Sequence, residues 1–422
     1  MLESRRVELL FGNKETNFSM ENFDKIRDFF PSLSRVDENN NKIIYLDGPG
    51  GTQVPIQVIE AISKYYIKCN ANTHGEFVTS QETDKIMDDL RLKMSSFLGA
   101  EGPETISIGQ NMTSLNYSLA RALSKKFKKN DEVIITELDH EANRGPWKTL
   151  EEKGIKLIEV NLLKNGTLDY DDFRNKVNAN TVMVCMGMSS NAIGTLNEFS
   201  KVKEFLSDDC LLLLDAVHYA PHFSINVKDI GCDFLVCSAY KFYGPHVGFL
   251  YSKPNLLEDL ETDRLIVQDQ KAPYIIETGT LNHAACSGVT AAIDFIASIG
   301  SGDSLQEMLK NAYARISQHE FALAKHLFDN LMTFSKITVV GPDFSNTKRT
   351  PTVSFVHSEL TPQLVCKALA KENICAWNGH FYAIKAIQAL GLEQSGGVTR
   401  LGLSLYNTKH EVDRVLDVIK RL

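Results

Sequence analysis

The sequence has no CxxC pair, no lysine-bearing phosphate loop, no long basic run and no window approaching 18 uninterrupted apolar residues. Without paired cysteines a zinc ribbon or dithiol centre has little to build on, and the eight cysteines, several in apolar runs such as 181–186, read as buried thiols in a reducing compartment. Lys+Arg 45 against Asp+Glu 53 gives a net charge of -8, which argues against nucleic acid or an anionic membrane as the partner. The start, MLESRRVELL, lacks an apolar stretch after its arginines, so neither a signal peptide nor a membrane span is expected and a cytoplasmic location is. No metal constellation is expected either. His218 and His222 are four apart, but the intervening Pro221 makes a regular helix doubtful.

What is present is a chain of 422 residues, 43% hydrophobic, long enough for one large and one smaller domain. Phe23, Ile26, Phe29 and Phe30 predict a helix ending at Pro31, and an apolar run at 43–46 leads into the tight Asp47–Gly51 turn. Helical spacing recurs over 84–98 and from Thr113 onward. Short β-rich runs then follow at 133–135, 155–160, 181–186, 211–214 and 234–237. Continuous apolar strands predict a mostly parallel α/β sheet covered on both faces, with ligands beyond the strands' carboxyl ends. Helices are expected over 291–299 and 303–332, and an α+β tail with strands at 337–340 and 352–356 closes on an amphipathic helix carrying Val412, Val415, Leu416 and Ile419.

Several residues sit where chemistry is expected. Lys241, in CSAYKFYGPHVGFLY, follows an apolar strand, where desolvation frees an amine nucleophile that needs a carbonyl partner. A solvated surface lysine is the bland alternative. Asp215 closes LLLLD and suits a protonated ring nitrogen or a helix cap; His218 either reaches the same ligand or caps a turn. His140, in ELDHEANRGPW, suits ring stacking and proton transfer or an ordinary loop. Asn111, Met112, Thr113 and Ser114 open a helix, a place for phosphate or a plain cap. Thr280, in IIETGTLNH, offers a hydroxyl or only a turn, and Arg400 offers a fork for a carboxylate or a salt bridge.

Taken in order, the DH pair, SSNAIGT, D-x-x-H, SxxK followed by YGP, and ETGT resemble the class V aminotransferase and cysteine desulfurase branch of fold-type-I pyridoxal 5'-phosphate enzymes, from Tyr45 to beyond Arg400. The resemblance implies a seven-stranded, mostly parallel sheet in a large domain (41–302), an α+β small domain (303–422), and an amino-terminal helical segment (1–40) packed on the small domain. It implies pyridoxal 5'-phosphate held as an internal aldimine by Lys241, with Asp215 on the ring nitrogen and His140 on the ring face. His218 and Asn191 fall near the ring hydroxyl, and Asn111, Met112, Thr113 and Ser238 at the phosphate. A homodimer is implied, with Thr280 supplied across the interface, and Arg400 takes the carboxylate of a small amino-acid substrate.

The departures are as informative. Where such desulfurases carry a late loop such as RTGHHCAQP, this chain reads WNGHFYAIK, with Tyr382 at the cysteine position and Trp377 at the arginine position. Cys375 is seven residues too early to be equated with that cysteine, and Tyr240 replaces the histidine before the lysine. The expected activity is desulfurase-like or selenocysteine-lyase-like C–S or C–Se cleavage. Transamination or β-elimination is the alternative, and a cofactor-retaining partner protein of reduced activity a lesser one.

Overall fold

Runs of apolar residues bury both faces of a strand, and such runs form the centre of this protein. The computed structural model describes residues 23–344 and 349–422. After the two-residue β1 (Ile44–Tyr45), seven strands build one sheet: β2 (Ile106–Gly109), β3 (Glu132–Thr136), β4 (Lys156–Val160), β5 (Thr181–Gly187), β6 (Leu211–Asp215), β7 (Phe234–Ser238) and β8 (Gly248–Ser252). Their spatial order is β2-β8-β7-β6-β5-β3-β4. Only β8 runs against its neighbours, so the sheet is mostly parallel as expected. The five expected strands are present to within two residues. The other two, β2 and β8, each have a glycine at one end, and their pairing across the chain reveals them where local pattern does not.

Helices cover the sheet. The Val78–Leu98 helix starts earlier than its apolar period suggests and stops at Gly99, in the left-handed region (φ 63°). Asn111 caps Met112–Leu123, Asn282 caps His283–Ala297 and Ser304 caps the long Leu305–Leu331 helix. The amino-terminal pattern forms 3₁₀ turns, Phe23–Phe29 and Pro31–Ser34, in place of the expected α-helix, because Pro31 removes a backbone donor just where the helix would lengthen. Residues 1–22 of that segment lie outside the described residues.

The carboxyl-terminal part carries a second sheet of β9 (Ile337–Val340), β10 (Thr352–His357), β12 (Trp377–Gly379) and β13 (Val398–Gly402), antiparallel in the order β12-β13-β10-β9. The intervening β11 (Ile374–Cys375) pairs in parallel with β1, tying the start of the chain to its end. The closing helix, Lys409–Lys420, has a full capping box from Thr408 and Glu411 and buries the expected Val412, Val415, Leu416 and Ile419. Among the described residues no helix is long and apolar enough to cross a membrane, and no cluster of metal-ligating side chains forms.

One buried ion pair locks the edge of the large sheet. Arg91 meets Glu277 through both ends of its fork, at 2.7 and 2.8 Å, and Glu277 also accepts the Ile108 N–H at 2.7 Å. Both side chains are buried, so removing one partner strands the other's charge. Glu277→Ala is expected to cost about 3–5 kcal/mol of unfolding free energy in urea titration; a loss below about 1 kcal/mol would contradict this account.

Candidate active site

A cavity lies beyond the carboxyl ends of β5, β6 and β7, where their last residues are Gly187, Asp215 and Ser238. Its walls include Asn111, Met112, Thr113, His140, Asn191, Asp215, His218, Ser238 and Lys241, which the topology collects from across more than 100 residues of chain. It adjoins a wider cleft of about 650 Å³ that also touches His140, Asn191 and Lys241 and is bordered by Arg400 and residues 377–382. Of the expected site residues only Thr280 lies elsewhere. It is exposed, beside Gln110, Asn111 and His246 in a separate hollow.

Lys241 is held by the glycine-rich turn. Its Nζ donates to the carbonyl of Gly50 at 2.9 Å and to that of Pro49, and it stands 4.8 Å over the Tyr240 ring. Burial, reinforced by the Arg400 cation, lowers its amine to about 7, while Asp47 and Asp215 pull the other way. Asp215 is buried, with Oδ1 accepting the Val217 N–H at 2.9 Å, and burial pushes its carboxyl up to about 7. A carboxyl at that value keeps a proton available to share with a basic partner.

His140 accepts the Ala142 N–H on Nδ1 at 3.0 Å, which places the proton of the neutral ring on Nε2. Burial first, then Lys241 and Arg400, lower it to about 4, so the ring is neutral around pH 7. His218 is held through Nε2 by Thr350 at 3.2 Å and Thr352 at 3.1 Å; burial, then His222, drive it well below the usual histidine range. At the helix start the Met112 N–H donates to Ser238 Oγ at 3.0 Å, and Asn111 accepts the Ser114 N–H at 2.9 Å. Gly248 on β8 makes this approach feasible, because a Cβ there would run into the backbone of Asn111 and Met112.

Arg400 reaches in from β13. It donates to Asp47 at 2.6 Å and to the Asn191 carbonyl at 3.0 Å, and its guanidinium lies 3.9 Å from the Phe381 ring centre. Asn191 in turn donates to the Phe381 carbonyl at 2.9 Å, so residues from four segments fix one another. A Cβ on Gly50 would strike the Asp47 carboxylate, which explains the glycine at that turn. Sequence reasoning passed over Asp47 and Asp139. Asp139 braces the site by accepting the Gly187 N–H at 2.6 Å and that of Thr136 at 3.2 Å, and burial raises it to about 6. The DH pair was its only local signal. Asp47 shows its role only through a contact 353 residues away.

A family model, Aminotransferase class-V, matches residues 44–415. The chain belongs to the class-V aminotransferase family. It is 30% identical over 408 residues to a "Probable cysteine desulfurase" of Halalkalibacterium halodurans, covering 93% of this chain and 96% of the relative. It is 31% identical over 414 residues to "Aminotransferase-like protein FGM3" of Gibberella zeae, covering 95% and 98%. Among solved structures, an apo cysteine desulfurase from Thermococcus onnurineus superposes with a TM-score of 0.80 at 26% identity, over 90% of this chain and 94% of that one. The Escherichia coli desulfurase CsdA does so with a TM-score of 0.82 at 23% identity over 95% and 98%, a likeness that speaks to the fold.

Family membership makes this an enzyme of a pyridoxal-phosphate-dependent group, and the cavity fits that group. It combines an enclosed amine, a protonatable buried acid and a helix start. Two buried polar atoms on its wall, His218 Nδ1 and Ser189 Oγ, have no partner among the described residues. For protein free of cofactor, amine labelling of Lys241, followed by peptide mass analysis, is expected to have its midpoint near pH 7. Arg400→Gln removes a cation that disfavours the ammonium and is expected to move the midpoint upward. A midpoint near that of a free lysine would contradict the geometry.

Proposed function

We propose that the protein cleaves the Cβ–sulfur or Cβ–selenium bond of an amino acid, using pyridoxal 5'-phosphate carried on Lys241. The observation that carries the reading is the pairing of the Lys241 amine with Asp215 across one cavity, with Arg400 on the adjoining wall. When bound, pyridoxal phosphate supplies an electron-accepting ring in conjugation with the substrate amine. Asp215 would hold a proton at the ring nitrogen, and its carboxyl near 7 suits sharing that proton. His140 and Asn191 would border the ring and its hydroxyl, with His218 beside them. Asn111, Met112, Thr113 and Ser238 would hold the phosphate. Arg400 would orient the substrate carboxylate; its Nε is buried without a partner among the described residues, which leaves a donor available. Lys241, with its amine near 7, is suited to take the substrate's Cα proton and return it.

The route of the sulfur differs from one that uses a protein thiol. Neither cavity is lined by a cysteine; seven of the eight cysteines are buried, and Cys375 is partly buried on β11. Burial also raises the Cys375 thiol, which disfavours the nucleophilic thiolate. The absence of a thiol at the cleft favours direct elimination, and it equally favours a second reading, transamination.

A homodimer belongs to the same proposal. Thr278, Gly279 and Thr280 are exposed and apart from their own chain's Lys241, as suits a loop serving a partner subunit, and Ile266 and Val267 are 97% and 89% exposed nearby in sequence. So does the division into 41–302 and 303–422, with 1–40 leading. Arg27 pairs with Glu411 of the closing helix at 2.6 Å, while Phe30 meets Phe295 of the large part.

The test is incubation of the holoenzyme with L-cysteine and L-selenocysteine. Sulfide or selenide, with equimolar pyruvate and ammonium, is expected well above a Lys241→Ala control, and Asp215→Asn is expected to reduce the rate by at least about 100-fold. Equal product from wild type and Lys241→Ala would overturn the proposal.

A further inference from the structure

The wider cleft is larger than a cysteine side chain requires. Drug-sized ligands occupy pockets of about 300–1,000 Å³, and this opening, at about 650 Å³, falls in that range and is lined in part by Lys241. Five aromatic rings line it: Tyr117, Tyr240, Trp377, Phe381 and Tyr382. Six large aromatic residues are exposed among the described residues, and three of them, Tyr117, Trp377 and Tyr382, are at this opening. Exposed rings gathered at one concave site mark a surface made to cover an apolar or aromatic group.

The charged groups of the cleft are already engaged. Glu141 is 2.8 Å from Lys148 and 3.6 Å from Arg144, Arg400 is paired with Asp47, and Lys241 is held at the backbone carbonyls. His380 accepts the Tyr382 N–H on Nδ1. Among the described residues of the cleft, Arg400 Nε is thus the one charged donor left open, which suits the substrate's own carboxylate and not a charged side chain. The wall is also fixed: the Tyr382 carbonyl accepts the Glu141 N–H at 2.8 Å, and the Tyr382 ring packs against His140 with centroids 5.4 Å apart. Phe381 and Tyr382 both have left-handed φ, 50° and 60°, a costly conformation for two consecutive aromatic residues that the flanking contacts hold in place.

Resting on the C–S cleavage reading, we propose that the substrate is an S-substituted cysteine whose aromatic substituent occupies the cleft between Tyr117, Tyr240, Trp377 and Tyr382. Such a substrate needs no protein thiol. Lys241 takes the Cα proton, the Cα electrons form the Cα–Cβ double bond, and the Cβ–S bond breaks with its electron pair on sulfur. The thiolate then takes a proton, and water hydrolyses the remaining three-carbon fragment. In sum, R–S–CH2–CH(NH3+)–COO⁻ and water give R–SH, pyruvate and ammonium, with no external oxidant or reductant.

The experiment compares L-cysteine, S-methyl-L-cysteine, S-benzyl-L-cysteine and L-phenylalanine with the holoenzyme, reading thiol, pyruvate and phenylpyruvate. S-benzyl-L-cysteine is expected to exceed S-methyl-L-cysteine in kcat/KM by at least about 10-fold, the scale of discrimination available from one apolar subsite. Trp377→Ala and, separately, Tyr382→Ala are expected to shrink that ratio; both side chains are more than half exposed, so neither change threatens folding. Binding has its own readout, because Trp377 is exposed at the cleft and the other tryptophan, Trp147, is buried. Tryptophan emission is expected to change with S-benzyl-L-cysteine at concentrations where L-alanine has no effect. Cleavage of cysteine and S-methyl-L-cysteine without preference for the benzyl compound overturns the substrate class and leaves C–S cleavage standing. Phenylpyruvate without thiol from any cysteine overturns both in favour of transamination, and no product from any compound also overturns both.

Discussion

Lys241 stands where an ammonium is costly, and the backbone carbonyls of Pro49 and Gly50 take its hydrogen bonds in place of water. That exchange is the constraint the rest of the site serves. Burial disfavours the charged amine and brings it to about 7, within reach of neutrality at ordinary pH, where it is a nucleophile and a base. The turn from Asp47 to Gly51 must bend its carbonyls toward β7, and the Thr52 N–H, bonded to the Tyr240 carbonyl at 3.1 Å, anchors it there. The charges facing Lys241 are balanced: Asp215 and Asp47 favour the ammonium, and Arg400 opposes it.

Arg400 links this constraint to the carboxyl-terminal sheet. It belongs to β13, yet its partners Asp47 and the Asn191 carbonyl lie in the segments that border the wider cleft beside Lys241. Moving the small sheet away would leave a buried carboxylate and a buried guanidinium without each other, so the carboxylate recognition proposed for Arg400 would be coupled to closure of the site. Phe381 and Tyr382 extend it, since each is docked through its backbone carbonyl, Phe381 onto Asn191 and Tyr382 onto the Glu141 N–H. A loop anchored in that way suits a wall better than a travelling nucleophile, in keeping with an aromatic residue at its tip.

The parts legible in the sequence were those carried by local pattern. Asp215 and Lys241 follow runs whose unbroken apolarity marks buried parallel strands, and chemistry beyond such ends is a property of the architecture. The motif order brought in His140, Asn191, His218, Ser238 and the 111–113 turn, all of which share the cavity wall. What escaped depends on distant pairing. Strand β8 reads as the tail of a lysine motif until it is seen beside β2, and β13 is shortened by flanking glycines. Asp47 looks like a turn residue until Arg400 meets it, and Ser189 has no signal beyond its place in SSNAIGT. At 23–34 the apolar period was real, but Pro31 and 3₁₀ geometry overrode the α-helix it suggested.

Every role proposed for the site depends on which amine carries the cofactor. Borohydride reduction of the purified holoenzyme, followed by peptide mass mapping, is predicted to leave one pyridoxyl group, on the Lys241 side chain within the β7–β8 segment. A protein that takes up no pyridoxal phosphate under any condition, or a reduced adduct on a different lysine, would contradict it.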